Sequence, residues 1–169
     1  MKFIALPLAC LLLAVACTSE PKPAPTPSRT ITQTPACPQA IDNLAEPLPE
    51  TEVFLDAVAL PTREVLQPNP SGEPDWLFAK FGLLVRATRT VTLTVDPSAA
   101  EWARIGWSDL DYSTELTIPV CSGTDSRFRV YAGGYEVRSG PRCLPLIVRS
   151  GDGDGDGTAR ARISVGVAC

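Results

Sequence analysis

The chain has 169 residues with 15 basic side chains, 19 acidic side chains, six cysteines and no histidine. The lack of histidine excludes Ser-His-Asp and Cys-His catalysis, histidine-ligated zinc and a histidine general base. The net charge of -4 and the scattered basic residues argue against nucleic-acid binding.

The first residues have the pattern of an export signal. Lys2 supplies a positive charge, and residues 3–16 form an apolar run interrupted only by Pro7. This run is too short for a stable membrane span, and the small residues Ala14 and Ala16 suit a signal peptidase. We therefore predict that residues 1–16 are a signal peptide.

The end of this signal carries a second pattern, Ala14-Val15-Ala16-Cys17. It resembles the lipobox of bacterial lipoproteins, although the leucine usual at the position of Ala14 stands one residue earlier, as Leu13. The resemblance implies that Cys17 receives a diacylglycerol, whose two chains would hold the protein on the outer face of the cell membrane. The alternatives are plain secretion after cleavage at the same bond, and an uncleaved anchor.

The segment after Cys17 is predicted to be a tether. Residues 18–36 hold five prolines among threonine, serine, alanine and lysine, and so have too little apolar surface to fold. In an extended polyproline conformation they would reach roughly 60 Å. Residues 17–36 are thus the lipidated cysteine and its tether, and residues 37–169 form one folded domain.

Apolar and polar residues alternate through most of this domain, which predicts half-buried antiparallel strands. Glycine pairs and short polar stretches predict hairpin turns at 87–90, 133–134 and 151–157. A short helix capped by Asp75 is predicted near 75–81, with Trp76, Phe78 and Phe81 facing inward, and another turn is predicted near 40–45. The expected fold is an all-β antiparallel sandwich, immunoglobulin-like or jelly-roll in type. The predicted strands are 53–60, 83–87, 91–95, 104–107, 116–120, 127–131, 135–138, 144–148 and 163–167.

Four cysteines lie in the domain, and an even number in an exported chain predicts two disulfides. Three pairings are possible. We favour Cys121–Cys143, between neighbouring strand ends, together with Cys37–Cys169, because the two ends of a domain often lie close together.

Aromatic and acidic residues gather in one short segment that includes Trp102, Trp107 and Tyr112. Sugars stack on flat aromatic rings while carboxylates such as Asp109 and Asp111 accept hydrogen bonds from their hydroxyls. The segment is therefore a candidate glycan-binding surface. The competing interpretation is that the two tryptophans are core residues, since large aromatic side chains dominate burial.

The same carboxylates, with Glu101 and Glu115, could in principle form the acid pair of a glycoside hydrolase. Acidic residues this close in sequence are common on exposed turns. We therefore expect that the protein is not an enzyme.

Asp152, Asp154 and Asp156 alternate with glycines in the pattern that opens a calcium-binding loop. However, Ile163 stands where a bidentate glutamate is needed, and a strand pattern follows at once. The pattern favours a flexible hairpin loop, with weak calcium binding as the alternative and no other cofactor expected.

The last part of the domain is rich in arginine, and most of these side chains are expected to be solvated strand positions. The alternative is an arginine face that meets an anionic wall polymer or a protein partner. Its predicted members are Arg127, Arg129, Arg160 and Arg162.

The segments 131–137, 143–149 and 165–169 resemble a set of actinobacterial exported proteins, and that resemblance implies no activity. The sequence therefore predicts a cell-envelope lipoprotein with a non-catalytic binding or structural module. Its expected partners are the membrane, through the lipid, and a cell-wall polymer or an envelope protein. The alternative is a glycan-binding module of the cell wall.

Overall fold

The computed structural model describes residues 34–86, 88–121, 127–151 and 157–169. This part of the chain contains short strands and two single-turn 3-10 helices, Cys37–Gln39 and Pro97–Ala99. The strands are β1 Asp42–Leu44, β2 Glu52–Phe54, β3 Val58–Leu60, β4 Val65–Leu66, β5 Asn69–Pro70, β6 Trp76–Lys80, β7 Leu83–Arg86, β8 Val91–Val95, β9 Ala103–Trp107, β10 Glu115–Ile118, β11 Phe128–Tyr131, β12 Gly133–Arg138, β13 Arg142–Ser150 and β14 Thr158–Val165.

These strands form three sheets. Sheet 1 has the order β1-β11-β7-β3-β2, sheet 2 the order β10-β8-β13-β14-β4, and sheet 3 the order β5-β6-β12-β9. Neighbouring strands are antiparallel except for β4 and β14, which are parallel. A bridge between Ile105 and Ser113 links the edge of sheet 3 to the start of β10. The all-β antiparallel sandwich with only short helical turns is thus confirmed.

Alternating burial explains the sandwich. Along β8, Val91, Leu93 and Val95 are buried and the two threonines between them are half-buried. One core cluster joins inward side chains of all three sheets, such as Leu84, Leu144 and Ile105, each fully buried. Because one face of each sheet is apolar, the faces exclude water by packing together.

Several connections differ from the predicted turns, because the chain passes directly from one sheet to another. The 87–90 segment was predicted to be a hairpin, but β7 belongs to sheet 1 and β8 to sheet 2. Gly133 and Gly134 were predicted to be a turn, but they begin β12 in sheet 3, and only Ala132 separates them from the end of β11 in sheet 1. A side chain on Gly133 would place its Cβ 2.2 Å from the Gly106 carbonyl oxygen, so only glycine fits there.

The predicted helix over 75–81 is also wrong, because this segment forms β6. Strand β6 pairs with β12 on one side and with β5 on the other, so its backbone N–H and C=O groups find hydrogen-bond partners in the sheet. The predicted single strand 53–60 is β2 and β3, separated by left-handed residues Leu55 and Asp56. The hairpin predicted across 151–157 is confirmed by the pairing of β13 with β14.

Two disulfides are present, but the favoured pairing was wrong: they join Cys37 to Cys121 and Cys143 to Cys169. The residue Cys37 precedes β1, which pairs with β11, and the Cys121 sulfur lies 3.7 Å from the hydroxyl of Tyr131 on β11. Strand β11 therefore brings the first pair together.

The second pair is set by the end of the chain, which folds back on the β13–β14 hairpin. Cys143 lies opposite Ser164, whose hydroxyl oxygen accepts a hydrogen bond from the backbone N–H of Cys169 at 3.0 Å. The pairing of β13 with β14 thus places Cys169 beside Cys143 and not beside Cys37.

Candidate functional site

Trp107, one of the three aromatic residues predicted at a glycan surface, is a core residue. It is fully buried, its indole Nε1–H donates to the Phe81 carbonyl oxygen at 2.9 Å, and its ring meets Tyr135 edge-on at 5.2 Å. A fully buried ring cannot stack on a ligand at the surface. The prediction that Trp107 contributes to a surface platform is therefore wrong.

The other members of the predicted glycan site are separated. Trp102 is half-buried against the core with the Arg142 guanidinium 5.0 Å from its ring. Asp109 and Asp111 are exposed in the connection between β9 and β10. Only Tyr112 packs into a cluster of aromatic and charged side chains.

That cluster lies on the outer face of sheet 3, and the strand register builds it. In one cross-strand row, Phe78 of β6 lies opposite Glu136 of β12, which lies opposite Arg104 of β9. In the next row, Trp76 lies opposite Arg138. Because alternate residues point to the same side of a sheet, these five side chains share one face.

Arg104 is the centre of this face. Its Nε donates to the Glu136 carboxylate at 2.5 Å, and its Nη2 forms an ion pair with the Glu73 carboxylate at 2.8 Å. The guanidinium carbon also lies 4.1 Å from the centre of the Trp76 ring and 5.2 Å from that of Tyr112. We refer to Glu73, Trp76, Arg104, Tyr112 and Glu136 as the Arg104 cluster.

The position of the Tyr112 ring depends on a residue without a side chain. A Cβ on Gly106 would lie 2.7 Å from the ring, so the ring rests directly on the backbone of β9. Tyr112 also meets Phe78 edge-on, with ring centres 6.1 Å apart. Gly106 thus allows an aromatic side chain from a connecting loop to complete the outer face of sheet 3.

The electrostatics of the cluster hold Arg104 charged. Partial burial disfavours the charged guanidinium, but the hydrogen bonds and negative charges of Glu73 and Glu136 outweigh it and raise the pKa of Arg104. Partial burial, and next the charge of Glu136, raise the pKa of the Tyr112 hydroxyl. Tyr112 therefore stays neutral at physiological pH and can serve as a hydrogen-bonding aromatic surface.

An open groove of about 560 Å³ adjoins Trp76. It lies between the β5–β6 loop and the β12–β13 loop, and Trp76 connects it to the Arg104 cluster. Its walls combine apolar surface with carboxylates and backbone groups, as ligand sites commonly do. We call it the loop groove, and its lining residues are Pro70, Gly72, Glu73, Pro74, Asp75, Trp76, Leu77, Ser139 and Gly140.

The two loops that form this groove hold an unusual backbone shape. Asp75 and Ser139 have φ values of 66° and 63°, in the left-handed region that residues with side chains seldom adopt. The Ser139 N–H donates to the Asp75 carbonyl oxygen at 2.9 Å, which ties the loops together. Such conformations persist where surrounding structure fixes them, and they often mark binding sites.

Other predicted site residues lie outside the described residues, namely Cys17 and the calcium candidates Asp152, Asp154 and Asp156. In the part of the chain that the structure describes, no group of three cysteine or acidic residues is arranged to hold a metal ion. Within those same residues, no helix has the length and apolar character needed to cross a membrane.

The residues Trp76 and Arg104 were missed as site residues at the sequence level. Reading 75–81 as a helix pointed Trp76 and Phe78 inward, whereas strand alternation puts both on the outer face. The alternation of Trp76, Phe78 and Lys80 with Leu77 and Ala79 was the signal that could have located this face.

No family model, no curated protein and no solved structure matches the chain.

Proposed function

We propose that this chain is a non-catalytic binding module of the cell envelope, and that its ligand binds in the loop groove and on the adjoining Arg104 cluster. The export signal and tether of the sequence, and two disulfides typical of oxidising compartments, support a location outside the cytoplasm. Because Arg104 is engaged by two carboxylates and two rings, the cluster provides a preorganised surface and no free reactive group.

The observation that carries this proposal is the position of Trp76. Its half-buried ring belongs both to the Arg104 cluster and to the wall of the loop groove. An aromatic ring fixed by neighbouring guanidinium groups loses little conformational entropy when a ligand stacks on it.

Replacement of Trp76 tests the proposal. Trp76→Ala should weaken sedimentation of the purified full chain with insoluble cell-wall material by about tenfold or more, as expected for loss of a central aromatic contact. Trp102→Ala, which removes another half-buried tryptophan, should bind as the unmodified protein does. Equal binding by all three proteins would contradict a role for the groove.

A glycan is the ligand class that the groove favours. Trp76 and two prolines supply flat apolar surface, and Glu73 and Asp75 add carboxylates that can accept hydrogen bonds from sugar hydroxyls. The proposed glycan site thus keeps Tyr112 from the sequence prediction and uses Trp76 in place of Trp107. Soluble wall-glycan fragments should therefore compete with the insoluble wall for the protein.

We further propose that Cys17 anchors the module to the outer face of the membrane through a diacylglycerol, with 18–36 as the tether. Cys17→Ser should release the protein into the medium or leave the precursor uncut, because a thioether to the lipid can no longer form. Fractionation of cells followed by detection of the chain measures this. Membrane retention at the level of the unmodified protein, with the signal intact, would rule out the lipid.

A further inference from the structure

A second concave surface lies on the outer face of sheet 2. It is a cleft of about 410 Å³ bordered by the β13–β14 hairpin and the 3-10 turn after β8. Arg160 and Arg162 of β14 are exposed and point to this side, because Ala161 and Ile163 between and beyond them are buried. The cleft is lined by Asp96, Ser98, Cys143, Pro145, Leu146, Arg160, Ala161 and Arg162.

One of the two arginines is partly neutralised and the other is not. Arg160 donates to the Asp96 carboxylate at 2.7 Å. The same carboxylate accepts hydrogen bonds from the hydroxyl and backbone N–H of Ser98, and these bonds, followed by Arg160, lower the pKa of Asp96. Arg162 is exposed and has no ion-pair partner among the described residues.

This arrangement replaces the arginine face predicted from the sequence. Arg129 lies on β11 in sheet 1, where its guanidinium donates to the Cys37 carbonyl oxygen at 3.4 Å, and Arg127 directly precedes that strand. On sheet 2, by contrast, Arg149 of β13 is exposed. It lies two positions after Ile147, the residue that pairs with Arg160. Arg149, Arg160 and Arg162 therefore form the basic row of this face.

We propose that this cleft binds a linear polymer of repeated, negatively charged phosphate groups outside the cell membrane. Two residues apart on one strand, Arg160 and Arg162 are separated by about 7 Å, so each guanidinium can hold a different phosphate of one chain. A guanidinium matches a phosphate with two parallel hydrogen bonds.

The shape of the surface selects the polymer over a bilayer. A concave cleft between a hairpin and a turn admits a narrow chain, whereas headgroups of a flat membrane would meet mainly its rim. The acidic character of the whole chain, with a net charge of -4, also means that attraction for a polyanion must be local to this row. The proposal does not depend on the loop groove or on its ligand.

The test is binding of the purified full chain to inorganic polyphosphate, measured by calorimetry at low salt. Arg160→Gln and Arg162→Gln should each weaken binding about tenfold, as expected for loss of a charged hydrogen bond. Asp96→Asn should strengthen binding several-fold, because it removes the charge that competes for Arg160. Lys80→Gln, which removes an exposed positive charge from sheet 3, should leave the affinity unchanged.

Four outcomes would overturn the proposal. The first is no binding of polyphosphate, and the second is an equal loss of affinity in the Lys80→Gln protein, which would indicate unspecific charge attraction. The third is displacement of polyphosphate by an equal concentration of orthophosphate, which would indicate a site for one phosphate. The fourth is binding to phosphatidylglycerol vesicles without binding to polyphosphate, which would assign the surface to the membrane.

Discussion

Replacing Arg104 with alanine is expected to lower the free energy of unfolding by about 3–5 kcal/mol. The reason is the carboxylate of Glu136, which is 3% exposed and is paired with the Arg104 guanidinium. Without that guanidinium, a negative charge stays buried with no compensating partner, and the stacking on Trp76 and Tyr112 is lost as well. Urea denaturation followed by circular dichroism measures the change.

Two further variants separate the ion pair from the stacking. Arg138→Ala removes a guanidinium that also stacks on Trp76, at 5.1 Å, and should cost about 1 kcal/mol or less. Replacing Arg104 with methionine together with Glu136→Leu removes both charges and should recover much of the stability that Arg104→Ala loses. If Arg104→Ala lowers the free energy of unfolding by less than about 1 kcal/mol, the buried charge of Glu136 does not need its ion pair with Arg104.

Removing the two disulfides separately should give unequal losses of stability. They close loops with sequence separations of 84 and 26 residues. A disulfide stabilises the fold because it reduces the chain entropy of the unfolded state, and a longer loop gives a larger effect. Replacing Cys37 and Cys121 with serine should therefore lower the free energy of unfolding by about 4.5 kcal/mol. The same change at Cys143 and Cys169 should cost about 3.5 kcal/mol.

Denaturation of both double-serine proteins under non-reducing conditions measures this difference. Peptide mapping of the unreduced chain supplies the control, because it must recover the Cys37 peptide joined to that of Cys121. Recovery of Cys37 joined to Cys169 would contradict the sheet arrangement, since β11 and the β13–β14 hairpin then could not lie as described.

Alternation in the sequence predicted most of the strands, because a half-buried strand needs an apolar residue at every second position. Val91, Leu93 and Val95 show this pattern and all three are buried. Strand β6 was missed because a short helix was predicted with Trp76, Phe78 and Phe81 on its inward side, although residues two apart on a helix point to different sides. The pairing with β5 and β12 decides its structure, and those partners are distant in sequence.

Cross-sheet connections and disulfide pairing were not predictable from local pattern. A short link such as 87–90 can close a hairpin or pass between sheets, and the choice depends on the partners of β7 and β8. The cysteines were confirmed as disulfide-bonded, but their pairing follows from β11 and from the chain after β14. Neither arrangement leaves a signal in the spacing of the cysteines.

The sequence predicted the types of residue in the candidate site better than it predicted their positions. Aromatic rings beside carboxylates were expected, and Tyr112 is one of them. The sequence around Trp102 and Trp107 does not indicate which of the two rings is buried. Only the register of β9 shows that Trp107 points into the core. Trp76 and Arg104 come from different strands, so their contact depends on the order of sheet 3.

The most direct test of the binding proposal is a titration of the full chain with soluble wall-glycan fragments, followed through the three tryptophan indole N–H signals by nuclear magnetic resonance. We expect the Trp76 signal to shift progressively while that of buried Trp107 stays in place. A Trp76 signal that does not move at fragment concentrations that displace the protein from the insoluble wall would contradict the proposed site.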